Sequence, residues 1–285
     1  MIFFIIIHFY FKKILYNIHT LKRGNNMKNK KVLFFDIDGT LLSGKTGIPE
    51  KTKNILKELS DNENIDMYIS TGRGYSTINE VNTIKKYFTG LVLSNGQSLF
   101  VNDDNIYSNY IPENVVKAFI KYCDDNIYSL GMISPRELYL HFFDEKAKNN
   151  FLSYCKSPYK EFSELEDYKH ITQFWLFVEN ETIDKIKLDF PQLSFLKWGH
   201  YGSDVIMANT GKGDGIKKII ELMNYDYNNT FAFGDGENDV SMFKEVKYSI
   251  AMGNGCDYAK QNATYITDHI ADDGLYNAIK KYVLK

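Results

Sequence analysis

The chain has 285 residues, of which 44% are hydrophobic and 25% charged, with a formal net charge of -2. That is ordinary globular composition, long enough for one large or two modest domains with real cores. No basic excess points to nucleic acid or to an anionic membrane, so a bound phosphate has to be held by a local arrangement of groups.

The first element is unusual. Residues 2–11 are almost wholly apolar, and Lys12 and Lys13 follow. The run falls short of the ~17–25 residues of a membrane span and lacks the basic start and small-residue cleavage site of a signal peptide. Met27 stands just before a strand pattern, so residues 1–26 read as a leader, dispensable or a non-native start; a weak interfacial anchor is the other reading. Residues 31–36 (KVLFFD) form a continuous apolar run ending in an acid, as in a buried parallel strand. Pro49 opens a helix with Ile55, Leu56 and Leu59 on one face. A second strand over 66–70 leads into Thr71-Gly72-Arg73-Gly74 and a helical stretch to Tyr87, and a third covers 90–94. Residues 97–101 and 105–107 then read as a hairpin around Asn102-Asp103-Asp104.

From Pro112 to about Gly202 the rhythm changes to amphipathic helices (112–124, 145–155, 181–188) mixed with alternating strands (137–143, 173–178, 194–198). That predicts an α+β module with an antiparallel sheet. After Asp204 the strand–helix alternation returns: a helix over 212–223, strands over 230–233 and 247–251, and a last helix over 273–284. The expected fold class is α/β: a doubly wound, Rossmann-like parallel-sheet core (27–110 and 205–285) split by an inserted α+β cap (111–204). The three cysteines, Cys123, Cys155 and Cys256, are far apart and form no Cys-x-x-Cys, which argues against a disulfide framework or zinc ribbon and suits a reducing cytoplasm.

Four local patterns carry chemistry. Asp36-Ile37-Asp38-Gly39-Thr40 ends a buried strand with two carboxylates, and in open parallel sheets ligands bind beyond the carboxyl ends of the strands. Two such acids can divide the tasks of nucleophile and proton shuttle and share a hard cation. Gly234-Asp235-Gly236-Glu237-Asn238-Asp239 follows another buried strand; Asp235 is placed to complete a Mg²⁺ site with Asp36. Ser70-Thr71-Gly72-Arg73 offers a hydroxyl and free N–H groups for a phosphate oxygen, and Gly211-Lys212-Gly213 a cation to neutralise it. Taken singly, each also reads as an acidic turn, a helix cap or a solvated lysine. Neither acidic loop fits an EF-hand: its sixth and twelfth positions would hold Leu41 and Gly47, or Val240 and Val246. Lys212 lies in neither a Walker loop nor a dinucleotide fingerprint.

In this order, Asp36-Ile37-Asp38-Gly39-Thr40-Leu41, Thr71-Gly72-Arg73, Lys212 and Gly234-Asp235-Gly236-Glu237-Asn238-Asp239 resemble the four motifs of the haloacid dehalogenase (HAD) superfamily. Ser94-Asn95-Gly96, Met252-Gly253-Asn254 and Asp273-Gly274 resemble its Cof-type phosphatase branch. The resemblance is specific in the core and diffuse across 112–202. It implies a phosphatase acting on small phosphomonoesters (sugar phosphates or phosphorylated cofactors) through a phospho-aspartyl intermediate, with Asp36 as nucleophile and Asp38 as general acid and base. It further implies Mg²⁺ held by Asp36, the Asp38 carbonyl and Asp235, and a phosphoryl group held by Thr71, Gly72, Lys212 and Asn238. Asp239, Asn95 and Arg73 would support these groups, and Ser70 competes with Thr71 for the motif hydroxyl. The insert corresponds to the family's large α/β (type IIB) cap, where Arg136, His141, Lys197, Trp198 and His200 are conceivable substrate contacts. The expected partner is a small phosphate ester, with no nucleic acid and no stable membrane association. A phosphomutase of the same superfamily and a catalytically silent phosphate-ligand-binding protein are the competing readings.

Overall fold

The computed structural model describes residues 27–44, 46–154 and 157–284. The 1–26 segment read as a leader, and Cys155, lie outside the described residues.

The first half of the core runs β1 (Lys31–Phe35), α1 (Glu50–Ser60), β2 (Ile65–Ser70), α2 (Asn82–Lys85), β3 (Gly90–Leu93) and the hairpin β4 (Ser98–Val101)–β5 (Asp104–Ser108). The continuous helix expected up to Tyr87 is absent. Two 3₁₀ turns, Tyr75–Thr77 and Asn79–Val81, precede the single turn of α2. The cause is local competition for carbonyls: Arg73 Nη1 donates to the Thr77 carbonyl and Thr77 Oγ1 to the Gly74 carbonyl. The hairpin turn has left-handed backbone at both Asn102 (φ 49°) and Asp103 (φ 67°), the geometry that matches strand twist.

The insert comprises α3 (Glu113–Asn126), β6 (Ser129–Ile133), β7 (Leu138–His141), α4 (Glu145–Tyr154), β8 (Lys160–Glu161), β9 (Gln173–Glu179), α5 (Asn180–Asp189), β10 (Leu193–Lys197) and β11 (Tyr201–Met207). β6 and β11 had no counterpart among the expected strands, and the expected domain boundary at 204/205 falls inside β11. The chain returns through α6 (Lys212–Met223), β12 (Thr230–Gly234), α7 (Val240–Lys244), β13 (Tyr248–Ala251), α8 (Asp257–Asn262), β14 (Tyr265–Ile266) and α9 (Gly274–Ala278), which runs into a π turn, Ile279–Val283.

The core sheet has the order β14-β13-β12-β1-β2-β3-β4-β5, parallel from β14 to β3 and antiparallel beyond. β1 explains why its sequence reads apolar without alternation. Leu33 and Phe35 join a layer with Leu56 of α1 and Leu275 of α9, while Val32 and Phe34 join Ile216 and Ile219 of α6 on the opposite face. After β1 the chain winds outward through β2 and β3, then returns to lay β12 on the other side of β1. The β1/β12 junction is therefore a topological switch point, and the crevice beyond its carboxyl ends is where an open α/β sheet takes its ligand.

The cap sheet has the order β10-β11-β9-β6-β7-β8. Along β9, Phe174, Leu176 and Val178 pack under α3 and α5 with Phe119, Ile183 and Ile186. Trp175 and Phe177 point to the other face, with Ile133, Leu138, Leu140, Ala147 and Phe151. Gln173, in phase with them, donates to the Gly72 carbonyl of the core at 3.0 Å, so this second face looks down on the switch point.

Candidate active site

Asp36 is the residue after β1. Its N–H still donates to the Phe233 carbonyl of β12, so the backbone stays in the sheet while the carboxylate stands at its edge. Lys212, the first residue of α6 and 1% exposed, places Nζ 2.6 Å from Asp36 Oδ1 and 2.5 Å from Asp239 Oδ1. Asp239 Oδ2 accepts from the N–H groups of Asp235 and Gly236, each at 2.8 Å, which folds the 235–239 loop around its own carboxylate. Asp235 accepts from Thr40 Oγ1 at 3.2 Å and lies over Gly39. At Gly39, φ is +84° and a Cβ would stand 2.1 Å from Asp235 Oδ2, so only glycine allows the two acidic loops to meet.

The electrostatics of this group are unbalanced. Asp36, Asp235 and Asp239 each offer an oxygen within 4.8 Å of the others, against one ammonium. Burial pushes the Asp36 carboxyl well above the usual range; Lys212 opposes this, and Asp239, Asp235 and Asp38 reinforce it. Burial and then Asp239 push Asp235 up to about 7. Burial alone would lower Lys212, but Asp239 and Asp36 outweigh it and hold its pKa raised, so the lysine stays cationic. Three carboxylates converging on one buried ammonium fit a hard divalent cation, which would relieve the surplus negative charge. Asp239 commits both oxygens to Lys212 and to two backbone amides, leaving Asp36 and Asp235 to face such an ion. The Asp38 carboxylate is not in this cluster. It is held by Arg73 through a bidentate pair, Nη2 to Oδ1 at 2.7 Å and Nε to Oδ2 at 2.9 Å, at the more exposed rim.

Asp36, Asp38, Thr71, Gly72, Arg73, Asp235, Asn238 and Asp239 all line one cavity of ≈ 320 Å³ between core and cap. Thr71 lines it, whereas the Ser70 hydroxyl is buried in β2 with no hydrogen bond. Lys212 sits behind Asp36. Asn95 is fully buried, in a run of three left-handed residues, Ser94 (φ 52°), Asn95 (φ 52°) and Gly96 (φ 88°). Its Nδ2 donates to Asp204 Oδ2 at 2.7 Å and to Gln173 Oε1 at 3.1 Å, and its Oδ1 faces Asn238 Nδ2 at 3.4 Å. This loop therefore ties the carboxyl-end edge of the core sheet to two cap strands.

Of the five cap residues proposed from the sequence, only Trp198 reaches the cavity. Arg136 stacks on Tyr75 and donates to the Asp103 carbonyl of the core hairpin. His141 pairs with Asp124, Lys197 pairs with Asp184, and His200 is exposed. Sequence reasoning missed Phe151, Trp175, Phe177 and Asp204, which form the cap wall. The acid of Ser203-Asp204-Val205-Ile206, set inside a strand-like run, was the available signal. Asp204 is buried and accepts from both Asn95 and Gln173; burial pushes its carboxyl up to about 7.

Comparison with known proteins gives a consistent picture. Residues 33–279 match the family model described as haloacid dehalogenase-like hydrolase. The chain is 29% identical over 254 residues to the Bacillus subtilis protein named "Putative phosphatase YkrA", covering 89% of this chain and 98% of that one. It is 26% identical over 264 residues to the 5-amino-6-(5-phospho-D-ribitylamino)uracil phosphatase YcsE of Bacillus subtilis, covering 89% of this chain and 96% of the relative. Among solved structures, the HAD subclass IIB sugar phosphatase BT4131 superposes with a TM-score of 0.80 at 27% identity, over 90% of this chain and 100% of that one.

Proposed function

The chain belongs to the haloacid dehalogenase-like hydrolases and is a phosphatase of that family, and we propose that it hydrolyses small phosphomonoesters through a phosphorylated Asp36, with a divalent cation, Mg²⁺, as cofactor. The observation that carries this reading is the pairing of Asp36 and Asp239 through buried Lys212, beside Asp235. It presents a carboxylate that lines the cavity and has one oxygen held by Lys212.

In this reading an oxygen of Asp36 attacks phosphorus, the bond from phosphorus to the ester oxygen breaks, and Asp38 delivers a proton to the departing alkoxide. Water then attacks the phosphorus of the acyl phosphate, Asp38 takes its proton, and the Asp36 carboxylate is restored with release of inorganic phosphate. Arg73 holds the Asp38 carboxylate through two hydrogen bonds, and Asp38 has to leave that pair to reach the ester oxygen. Thr71 and the backbone after β2 supply donors to the phosphoryl oxygens, and Asn238 supplies another. Lys212 reaches no solvent and acts as fixed positive charge beside the developing negative charge. Asp36 and Asp235, with the Asp38 carbonyl, are the groups that would hold the cation, which when bound neutralises phosphate charge. The cap closes the site from water through Gln173 and Asp204. The localisation expected from cysteine usage is cytoplasmic; among the described residues no helix is long and apolar enough to cross a membrane.

The test is release of inorganic phosphate from a panel of phosphomonoesters. Release is expected with Mg²⁺, is lost on chelation and returns when Mg²⁺ is restored. Release that ignores the chelator would overturn the metal assignment, and no release from any ester would favour a ligand-binding role.

A further inference from the structure

The two walls of the cavity differ in kind. The core wall is acids, amides and hydroxyls, and it accounts for the phosphoryl group. The cap wall is Phe151 of α4, Trp175 and Phe177 of β9, and Trp198 just past β10. Their rings meet edge to face: Trp175 and Trp198 lie 5.5 Å apart at 86°, and Phe177 and Trp198 lie 5.7 Å apart at 80°. The wall is built into the strands. Gly202, at a register shift in β11 with φ +101°, lies under the Trp198 ring, where a Cβ would stand 2.9 Å from Cε3.

Polar capacity on this wall is small. Asp204 already accepts from Asn95, Gln173 and Trp198. Trp175 Nε1–H is buried and turned toward the same carboxylate. A hexose carries a hydroxyl on most of its carbons, and each one desolvated without a partner is a penalty on binding. A wall whose carboxylate is already in use leaves most of those hydroxyls unpaired. It does offer apolar ring faces and edges.

We infer that the cavity is shaped for phosphomonoesters whose alcohol carries a planar heteroaromatic ring, seated against Trp198 and Trp175, and that hexose phosphates are its poorer substrates. The inference rests on the phosphatase reading above and specifies its leaving group.

The experiment compares kcat/KM for pyridoxine 5′-phosphate and glucose 6-phosphate in the Mg²⁺-loaded protein. The ring ester is expected to lead by about tenfold or more. Trp198→Leu, which keeps an apolar side chain but removes the π face, is expected to cut that ratio by about tenfold, mainly through KM, while Trp198→Phe keeps most of it. Equal or better use of glucose 6-phosphate, or an equal loss on both esters in Trp198→Leu, would overturn the inference. If neither ester is hydrolysed, the phosphatase reading fails on its own, and binding decides the ring seat. The chain has 2 tryptophans and both line the cavity, so their fluorescence reports occupancy. Pyridoxine 5′-phosphate is expected to quench it at lower concentration than glucose 6-phosphate; the reverse order would sink the ring seat.

Discussion

Asp36→Asn is expected to lower phosphate release by more than about a thousandfold, because it removes the attacking oxygen and leaves nothing in its place. The fold should survive. Asn keeps the shape of Asp and an oxygen toward Lys212 Nζ, and it removes a charge that the site tolerates poorly. The sign follows from Asp36, whose folded pKa is raised by burial. The folded state then holds that proton more tightly than the unfolded chain does. This contribution to stability is present at low pH and is lost as pH rises through the folded pKa. An amide cannot ionise, so the metal-free variant should melt no lower than the wild type at pH 8. Phosphate release and a thermal melt in chelator check both halves. Activity within tenfold of wild type would remove Asp36 from the mechanism.

Lys212→Met carries the second large effect, on stability as well as rate. The ammonium is 1% exposed and lies between Asp36 and Asp239. Without it three carboxylates converge with no buried cation among them. Breaking a buried ion pair from one side costs about 3–5 kcal/mol, and turnover should fall by at least about a hundredfold through lost charge stabilisation. Mg²⁺ should recover part of the lost stability, since a ligand that binds only the folded state stabilises it by mass action. Chemical denaturation with and without Mg²⁺ measures this. A variant as stable as wild type in chelator would mean that Lys212 does not balance these acids.

The parts of the fold visible in the sequence were those where one physical signal dominates. β1 and β12 are buried on both faces and read as unbroken apolar runs, and the acids that end them fall at the switch point because the parallel strands put their carboxyl ends on one edge. The Asn102-Asp103 hairpin was legible because few residue pairs tolerate two left-handed positions in succession. What was not legible depended on partners distant in sequence. The helical pattern after Gly74 gave way because Arg73, engaged with Asp38 in the loop after β1, also takes the Thr77 carbonyl. The division of labour among the acids was hidden for the same reason. Asp38 and Asp239 are alike in sequence, yet one is drawn to the rim by Arg73 and the other closes the metal-facing cluster with Lys212. The cap was the least legible. Arg136, His141, Lys197 and His200 are chemically eligible residues whose strand phase or loop position turns them elsewhere. Trp175 and Phe177 lay in an expected strand and Asp204 marked only the return to the core, until the sheet register placed all three over the site.

The central claim, that phosphoryl transfer passes through Asp36, is tested most directly by looking for the phosphoryl group. Asp38→Asn should still accept phosphate from a reactive ester but should lack the base that activates water, so the intermediate accumulates. Acid-quenched protein, digested and analysed by mass spectrometry, should carry one added phosphoryl group on the peptide containing Asp36, in Mg²⁺ and not in chelator. A phosphoryl group on another residue, or phosphate release by wild type with no adduct on Asp36 in either protein, would contradict the account.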